Sequence, residues 1–204
     1  MSRDYINQNN PLVLASVSPR RRDILEQIGI PFESIGSMVE ETFSQGANLE
    51  NLVYQMALLK AQSICRELKN RWILSADTIV AVNKKIFGKP KNYQECYDML
   101  ACLSGREHMV VTGFSIINPE GGVAHIESVT TRVTIKSLSE SEIDRYITTC
   151  EPYGKAGAYA IQGIGSFMIE SIHGSYTNVV GLPVYELINA LVRCGGLKAF
   201  PLVG

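Results

Sequence analysis

Met109–Ile117 reads MVVTGFSII, Val123–Ile135 reads VAHIESVTTRVTI, and Asn118-Pro119-Glu120-Gly121-Gly122 stands between them. Two runs rich in Val, Ile and Thr that flank a Pro/Gly turn predict a long antiparallel hairpin. Outward from it the rhythm changes. Pro11–Ala15 (PLVLA) reads as a short buried strand. Ser18-Pro19 then supplies an N-cap and a proline at the first helical position, and the helix carries Ile24, Leu25 and Ile28 before stopping at Gly29. Pro31–Ile35 is a second short strand. Asn48 caps a long helix whose Leu49, Leu52, Val53, Met56 and Leu59 follow helical spacing. Trp72–Ala76 (WILSA) reads as a strand that ends at Asp77; Thr78–Val82 continues extended into a turn at Asn83-Lys84-Lys85. Asn92 to Leu103 is a helix ended by Gly105. Ser139 with Glu142 forms a capping-box pattern before a helix to about Cys150. Phe167–Ile172 is a late strand, and Pro183 opens a last helix that Gly195 closes. Helix-linked strands beside a long hairpin predict an α/β fold. Its expected form is an elongated central mixed sheet flanked by helices, with two lobes around a cleft. No repeat, low-complexity block or linker divides the chain, so residues 1–204 read as one domain.

Composition narrows the function classes. Nineteen basic and 20 acidic residues leave a formal net charge of -1. A protein that coats nucleic acid carries an excess of Lys and Arg, so no nucleic-acid partner is expected. Five cysteines, Cys65, Cys96, Cys102, Cys150 and Cys194, form no C-x-x-C pair and read as reduced thiols. No apolar run reaches the roughly 18–20 residues of a membrane span, and Met1–Asn10 has no signal-peptide core. The expectation is a cytoplasmic protein without a membrane partner.

Four segments can carry chemistry. Ser16-Val17-Ser18-Pro19-Arg20-Arg21-Arg22 lies between a strand and a helix, where free backbone N–H groups and the positive dipole end suit anions. Arginine grips phosphate oxygens by paired hydrogen bonds, so the segment reads as a phosphate cradle or, equally, as a capped helix with solvated arginines. In Ser75-Ala76-Asp77-Thr78 an acid closes an apolar strand, where α/β sheets hold ligands; the plain alternative is a turn aspartate. Gly88-Lys89-Pro90 stiffens a lysine in a loop but is also an ordinary surface turn. Glu151–Gly165 (EPYGKAGAYAIQGIG) is rich in small residues around Gln162, the composition of a loop that wraps a flat ligand. It is neither a Walker loop nor a G-x-G-x-x-G fingerprint. Glu40 and Glu41 can bind metal or form a solvated face. Lys60 on a mostly apolar helix reads by default as a snorkelling surface lysine. His108, His125 and His173 have no zinc spacing, and no G-x-S-x-G elbow supports acyl-enzyme chemistry.

In their order these segments resemble the Maf family, also described as septum formation inhibitor proteins. Leu14-Ala15-Ser16-Val17-Ser18-Pro19-Arg20-Arg21 is similar to its opening signature. Ser75-Ala76-Asp77-Thr78, Gly88-Lys89-Pro90, Leu103-Ser104-Gly105, Val111-Thr112-Gly113, Lys155–Gly163 (KAGAYAIQG) and Asn178-Val179-Val180-Gly181-Leu182-Pro183 match later positions, from about Pro11 to Cys194. The resemblance implies a metal-dependent nucleoside triphosphate pyrophosphatase with an architecture similar to inosine triphosphate pyrophosphatase, often a homodimer. It places Asp77 at the catalytic acid, Lys60 and Lys89 at active-site lysines, and Ser16, Ser18, Arg20 and Arg21 at the phosphates. Gln162 falls at the late active-site glutamine, and Glu41, with Asp77, at the metal. The K-A-G-A-Y…I-Q-G form resembles the subgroup that acts on dTTP and UTP; Gly154 stands where an aspartate commonly precedes K-A-G.

The implied reaction yields a nucleoside monophosphate and pyrophosphate. Mg²⁺ or Mn²⁺, held by Asp77 and Glu41, would bridge phosphate oxygens, and Asp77 would orient or deprotonate water. A 7-methyl-GTP pyrophosphatase and a non-catalytic cell-division regulator are the alternatives.

Overall fold

A computed structural model describes residues 5–39, 48–68 and 70–202. The chain runs β1 (Leu12–Leu14), α1 (Pro19–Gln27), β2 (Phe32–Ser34), α2 (Leu49–Cys65), β3 (Ile73–Val82) and β4 (Lys85–Phe87). It continues with α3 (Tyr93–Leu103), β5 (Glu107–Ile117), β6 (Val123–Ile135), α4 (Glu140–Thr148), β7 (Ile169–His173), α5 (Tyr176–Val180) and α6 (Val184–Cys194). The strands form one seven-stranded sheet in the order β2-β1-β3-β5-β6-β7, with β4 also on β3. β1 pairs in parallel with β2 and β3; β3, β5, β6 and β7 pair antiparallel. This is the expected mixed sheet, and the β5–β6 hairpin is its longest ladder.

Asn48 and Asn92 cap α2 and α3, each accepting a backbone N–H in the first turn, and Ser139 with Glu142 completes the capping box of α4. α2 lies on one face of the sheet. It packs so closely that a Cβ on Gly113 of β5 would sit 2.5 Å from the Val53 backbone, so only glycine fits there. On the opposite face the core divides. One cluster joins Leu14, Leu25, Leu74, Phe114 and Leu187 beneath α1 and α6. The other joins Val80, Leu100, Val110, Val133 and Tyr146 beneath α3 and α4. None of the described helices is long and apolar enough to cross a membrane. All five cysteines are free.

Three sequence expectations need correction. β3 does not end at Asp77: it runs unbroken to Val82, with Asp77 opposite Gly113 in the ladder to β5. The β-branched run after Asp77 keeps pairing because the charge in mid-strand is balanced by a lysine from α2. The late strand starts at Ile169, later than Phe167, because Gly163–Met168 coils into a 3-10 helix. On α2, Leu59 is half exposed, and the buried face is instead Val53, Met56, Ala57, Lys60, Ala61 and Ile64.

Candidate active site

β3 creates the site by being paired differently on its two sides. β5 follows it continuously from Ile73 to Ala81. On the other side β1 pairs only with Ile73 and Leu74, and β4 only from Val80 to Val82. Among the described residues, no strand covers residues 75–79 on that side. A cleft of about 420 Å³ opens at this gap. It lies where the parallel strand β1 ends and the sheet direction changes, the usual ligand site of α/β sheets.

Strand alternation sends neighbouring side chains to opposite faces. Asp77 faces α2 and is 2% exposed. The Lys60 ammonium donates to Asp77 Oδ1, with side-chain exposures of 8% and 3%. One residue position earlier on that face, Ser75 donates to the Ala57 carbonyl and pins α2 to the strand. Lys60 is therefore not a snorkelling surface lysine. Helical spacing alone could not show this, because the deciding partner lies 17 residues away on another element.

Thr78 faces the other side and meets Arg21. The Arg21 guanidinium donates from Nε to the Gly181 carbonyl (2.8 Å), from Nη1 to Ser16 Oγ (3.1 Å) and from Nη2 to Thr78 Oγ1 (3.1 Å). Thr112 Oγ1 donates to the Asn178 carbonyl (3.1 Å), so Thr78 supplies the proton of the 2.9 Å Thr78–Thr112 bond. Asn178 Nδ2 then donates to Val110 O and Thr131 Oγ1. A buried polar chain thus ties α1, β3, β5, β6 and α5 together behind the cleft. Arg21 lines the cleft as expected, but these bonds make it framework first.

Ser16 Oγ accepts from Arg21 and from the Ser18 N–H (3.2 Å), so its own proton is left for a ligand. Ser18 occupies the N-cap of α1, yet its hydroxyl makes no capping bond. The first-turn N–H groups therefore keep their capacity for an anion. Arg20 sits beside this helix start, and burial pulls its guanidinium below its ordinary pKa. Across the cleft, Gly157 N–H donates to the Gly88 carbonyl (3.1 Å), which sets Lys155 and Lys89 on adjoining loops. Burial and the nearby Arg20 charge lower the Lys155 pKa as well. Two partly desolvated cations held close together form a site for a polyanion.

Ser16, Ser18, Arg20, Arg21, Lys60, Asp77, Lys89 and Gln162 all line this one cleft. Glu41, the expected metal ligand, and its neighbour Glu40 lie outside the described residues. Lys155 and Thr78 were not singled out from the sequence, although both stand inside quoted motifs; Lys155 in a glycine-rich loop carried the same signal as Lys89. Gly154 also lines the cleft, at φ +75°; an aspartate there would meet no neighbour but would sit in the left-handed backbone region, which side chains rarely adopt. Among the described residues no group of three or more His, Cys, Asp and Glu gathers, and Asp77 is the one carboxylate of the cleft. Asp77 is thus the one described residue of the cleft that could hold a hard cation such as Mg²⁺ or Mn²⁺, which in phosphate sites uses one or two carboxylates with substrate phosphates and water.

A family model described as Maf-like protein matches residues 11–194. The chain belongs to the Maf family. A relative in Syntrophotalea carbinolica, named dTTP/UTP pyrophosphatase, is 42% identical over 95% of this chain and 89% of its own length. Proteins of the same name in Nitratidesulfovibrio vulgaris (45% identical, 92% of this chain and 90% of theirs) and Bacillus cereus (44%, 88% and 93%) match similarly. A solved structure, the Staphylococcus aureus Ham1 protein, shares 19% identity over 62% of this chain and 72% of its own, at a TM-score of 0.43. At that score it bears no weight; the mixed α/β fold stands on the sheet itself.

Proposed function

We propose that this chain hydrolyses nucleoside triphosphates, dTTP and UTP foremost, to a monophosphate and pyrophosphate. The carrying observation is one cleft that sets the buried Asp77–Lys60 pair beside a ring of phosphate-binding groups. Relatives that share more than two-fifths of its residues bear the name dTTP/UTP pyrophosphatase and support the same substrates.

A triphosphate repels an incoming nucleophile, so catalysis is mostly positioning and charge neutralisation. Arg20, Lys89 and Lys155, with the Ser16 hydroxyl and the start of α1, grip the phosphate tail and stabilise the departing pyrophosphate. Asp77 takes the proton of the water that attacks the α-phosphorus. Lys60 holds that carboxylate in one orientation and balances its charge. Asp77, together with Glu41, would hold Mg²⁺ or Mn²⁺, which when bound supplies further neutralisation at the phosphate oxygens. Gln162, on the rim, meets the base and sugar.

Chromatography of a UTP or dTTP reaction tests this reading. Equal amounts of monophosphate and pyrophosphate are expected. A diphosphate with orthophosphate would overturn it. A panel that includes 7-methyl-GTP separates the subgroups.

A further inference from the structure

We infer that Glu151 is a positioning residue whose carboxylate fixes the turn at residues 160–165 and thereby sets Gln162 at the rim of the cleft. The inference rests on the pyrophosphatase reading for its consequence, but not for its geometry. Glu151 follows α4 and lies behind the cleft wall. Its Oε2 accepts from the Tyr146 hydroxyl (2.8 Å) and the Gly165 N–H (2.7 Å), and its Oε1 accepts from the Ile164 N–H (3.0 Å). The Tyr146 oxygen in turn accepts from the Ala160 N–H (3.1 Å). Both ends of the turn are thus tied to α4 by side chains, and Gln162 stands between the ties.

The backbone is shaped around this carboxylate. Gly163 has φ +77°, and a Cβ there would lie 2.2 Å from Glu151 Oε1. A Cβ on Gly165 would lie 2.4 Å from the Ala160 carbonyl and 2.6 Å from the Tyr146 oxygen. Burial pushes the Glu151 carboxyl up, but the Tyr146 hydroxyl and the two backbone N–H groups outweigh it and hold the acid below its ordinary pKa. The glycines of the I-Q-G-I-G segment therefore serve the anchor: they let the chain close over Glu151. Lys155 donates from Nζ to the Glu151 carbonyl, so the same residue also steadies one of the phosphate-side cations through its backbone.

The test uses Glu151→Ala and Glu151→Gln in the full chain, with Gln162→Ala and the double variant E151A/Q162A. Glutamine keeps the size of the side chain but replaces one acceptor oxygen by a donor that faces N–H and O–H groups. Loss of the anchor should speed amide exchange at Ile164 and Gly165 by about tenfold or more, as local opening becomes cheaper. It should raise KM for UTP by about tenfold while kcat changes less than about threefold, the mark of lost ground-state binding. Competitive inhibition by tripolyphosphate, which engages only the phosphate side, should stay unchanged. Q162A added to E151A should cost nothing more, since both remove one contact. Unchanged exchange at both amides would overturn the anchor. A double variant whose effects multiply, or a tripolyphosphate Ki that rises in step with KM, would overturn the link to Gln162. If E151A does not fold, E151Q carries the same readouts. If the unmodified chain releases no pyrophosphate, the activity reading fails, and amide exchange still decides the anchor.

Discussion

Asp77→Asn separates the two things the buried pair does. With Lys60 and Asp77 only 8% and 3% exposed, the variant leaves an ammonium facing an uncharged amide in the interior. Breaking a buried pair from one side costs about 3–5 kcal/mol. In a chain of this length each kcal/mol moves Tm by about 2–4 °C, so the variant should melt roughly 6–20 °C lower. Activity should fall further than stability explains, by about 10²–10⁴ in kcat, the range of a general base. The companion variant K60M/D77L replaces the pair by apolar side chains of similar size, and such replacements are often neutral or stabilising, so Tm should return to within about 5 °C of the unmodified chain. Its kcat should stay low. The assay is steady-state hydrolysis of UTP with Mg²⁺ or Mn²⁺ at a temperature where circular dichroism shows every variant folded. A folded D77N that keeps more than about a tenth of the original kcat would refute the catalytic role. A double variant that regains activity along with stability would show that the pair is structural only.

Arg20→Ala should lower kcat/KM by about one to two decades, the worth of a charge-assisted phosphate contact, and leave Tm within about 2 °C; unchanged kinetics would return Arg20 to the solvated surface. Arg21→Ala should behave in the opposite way, losing about 2–4 kcal/mol of stability in a denaturant melt because the Gly181 carbonyl, Ser16 and Thr78 lose their donors. His108 is buried against the Tyr159 hydroxyl at 2.7 Å, and burial lowers its pKa from 6.5 to about 4. Between those values the unfolded chain binds more protons, so this residue's contribution is complete above pH 6.5 and is lost as pH falls towards about 4. His108→Gln should flatten that stretch of a Tm-against-pH curve, and an identical slope would contradict it. Gly113→Ala should push α2 off β5, separate Lys60 from Asp77 and lower both Tm and kcat; a functional, fully stable variant would contradict the close approach of helix and sheet.

The sheet was legible where local chemistry announces itself. The Asn-Pro-Glu-Gly-Gly turn, the Asn48 and Asn92 caps and the Ser139–Glu142 box all lie within a few residues of the structure they dictate. β3 was misread at Asp77 because a charge inside an apolar run looks like its end. The compensation comes from Lys60, and no period along β3 can contain it. The cleft was legible as a set of motifs but not as a division of labour. Adjacent arginines on one helix look alike in sequence. The structure gives Arg21 to Ser16, Thr78 and Gly181 and leaves Arg20 beside the helix start. Glu151 escaped notice because two of its three partners are backbone N–H groups, which the side-chain sequence does not mark.

Isotope placement tests the central claim most directly. Hydrolysis of UTP in ¹⁸O-water, followed by mass spectrometry of the separated products, shows which phosphorus the water attacks. Attack at the α-phosphorus next to Asp77 puts the heavy oxygen in UMP and leaves pyrophosphate unlabelled. Label in pyrophosphate, with unlabelled UMP, would place the attack on the β-phosphorus and contradict the arrangement of base and phosphate grip derived from this cleft.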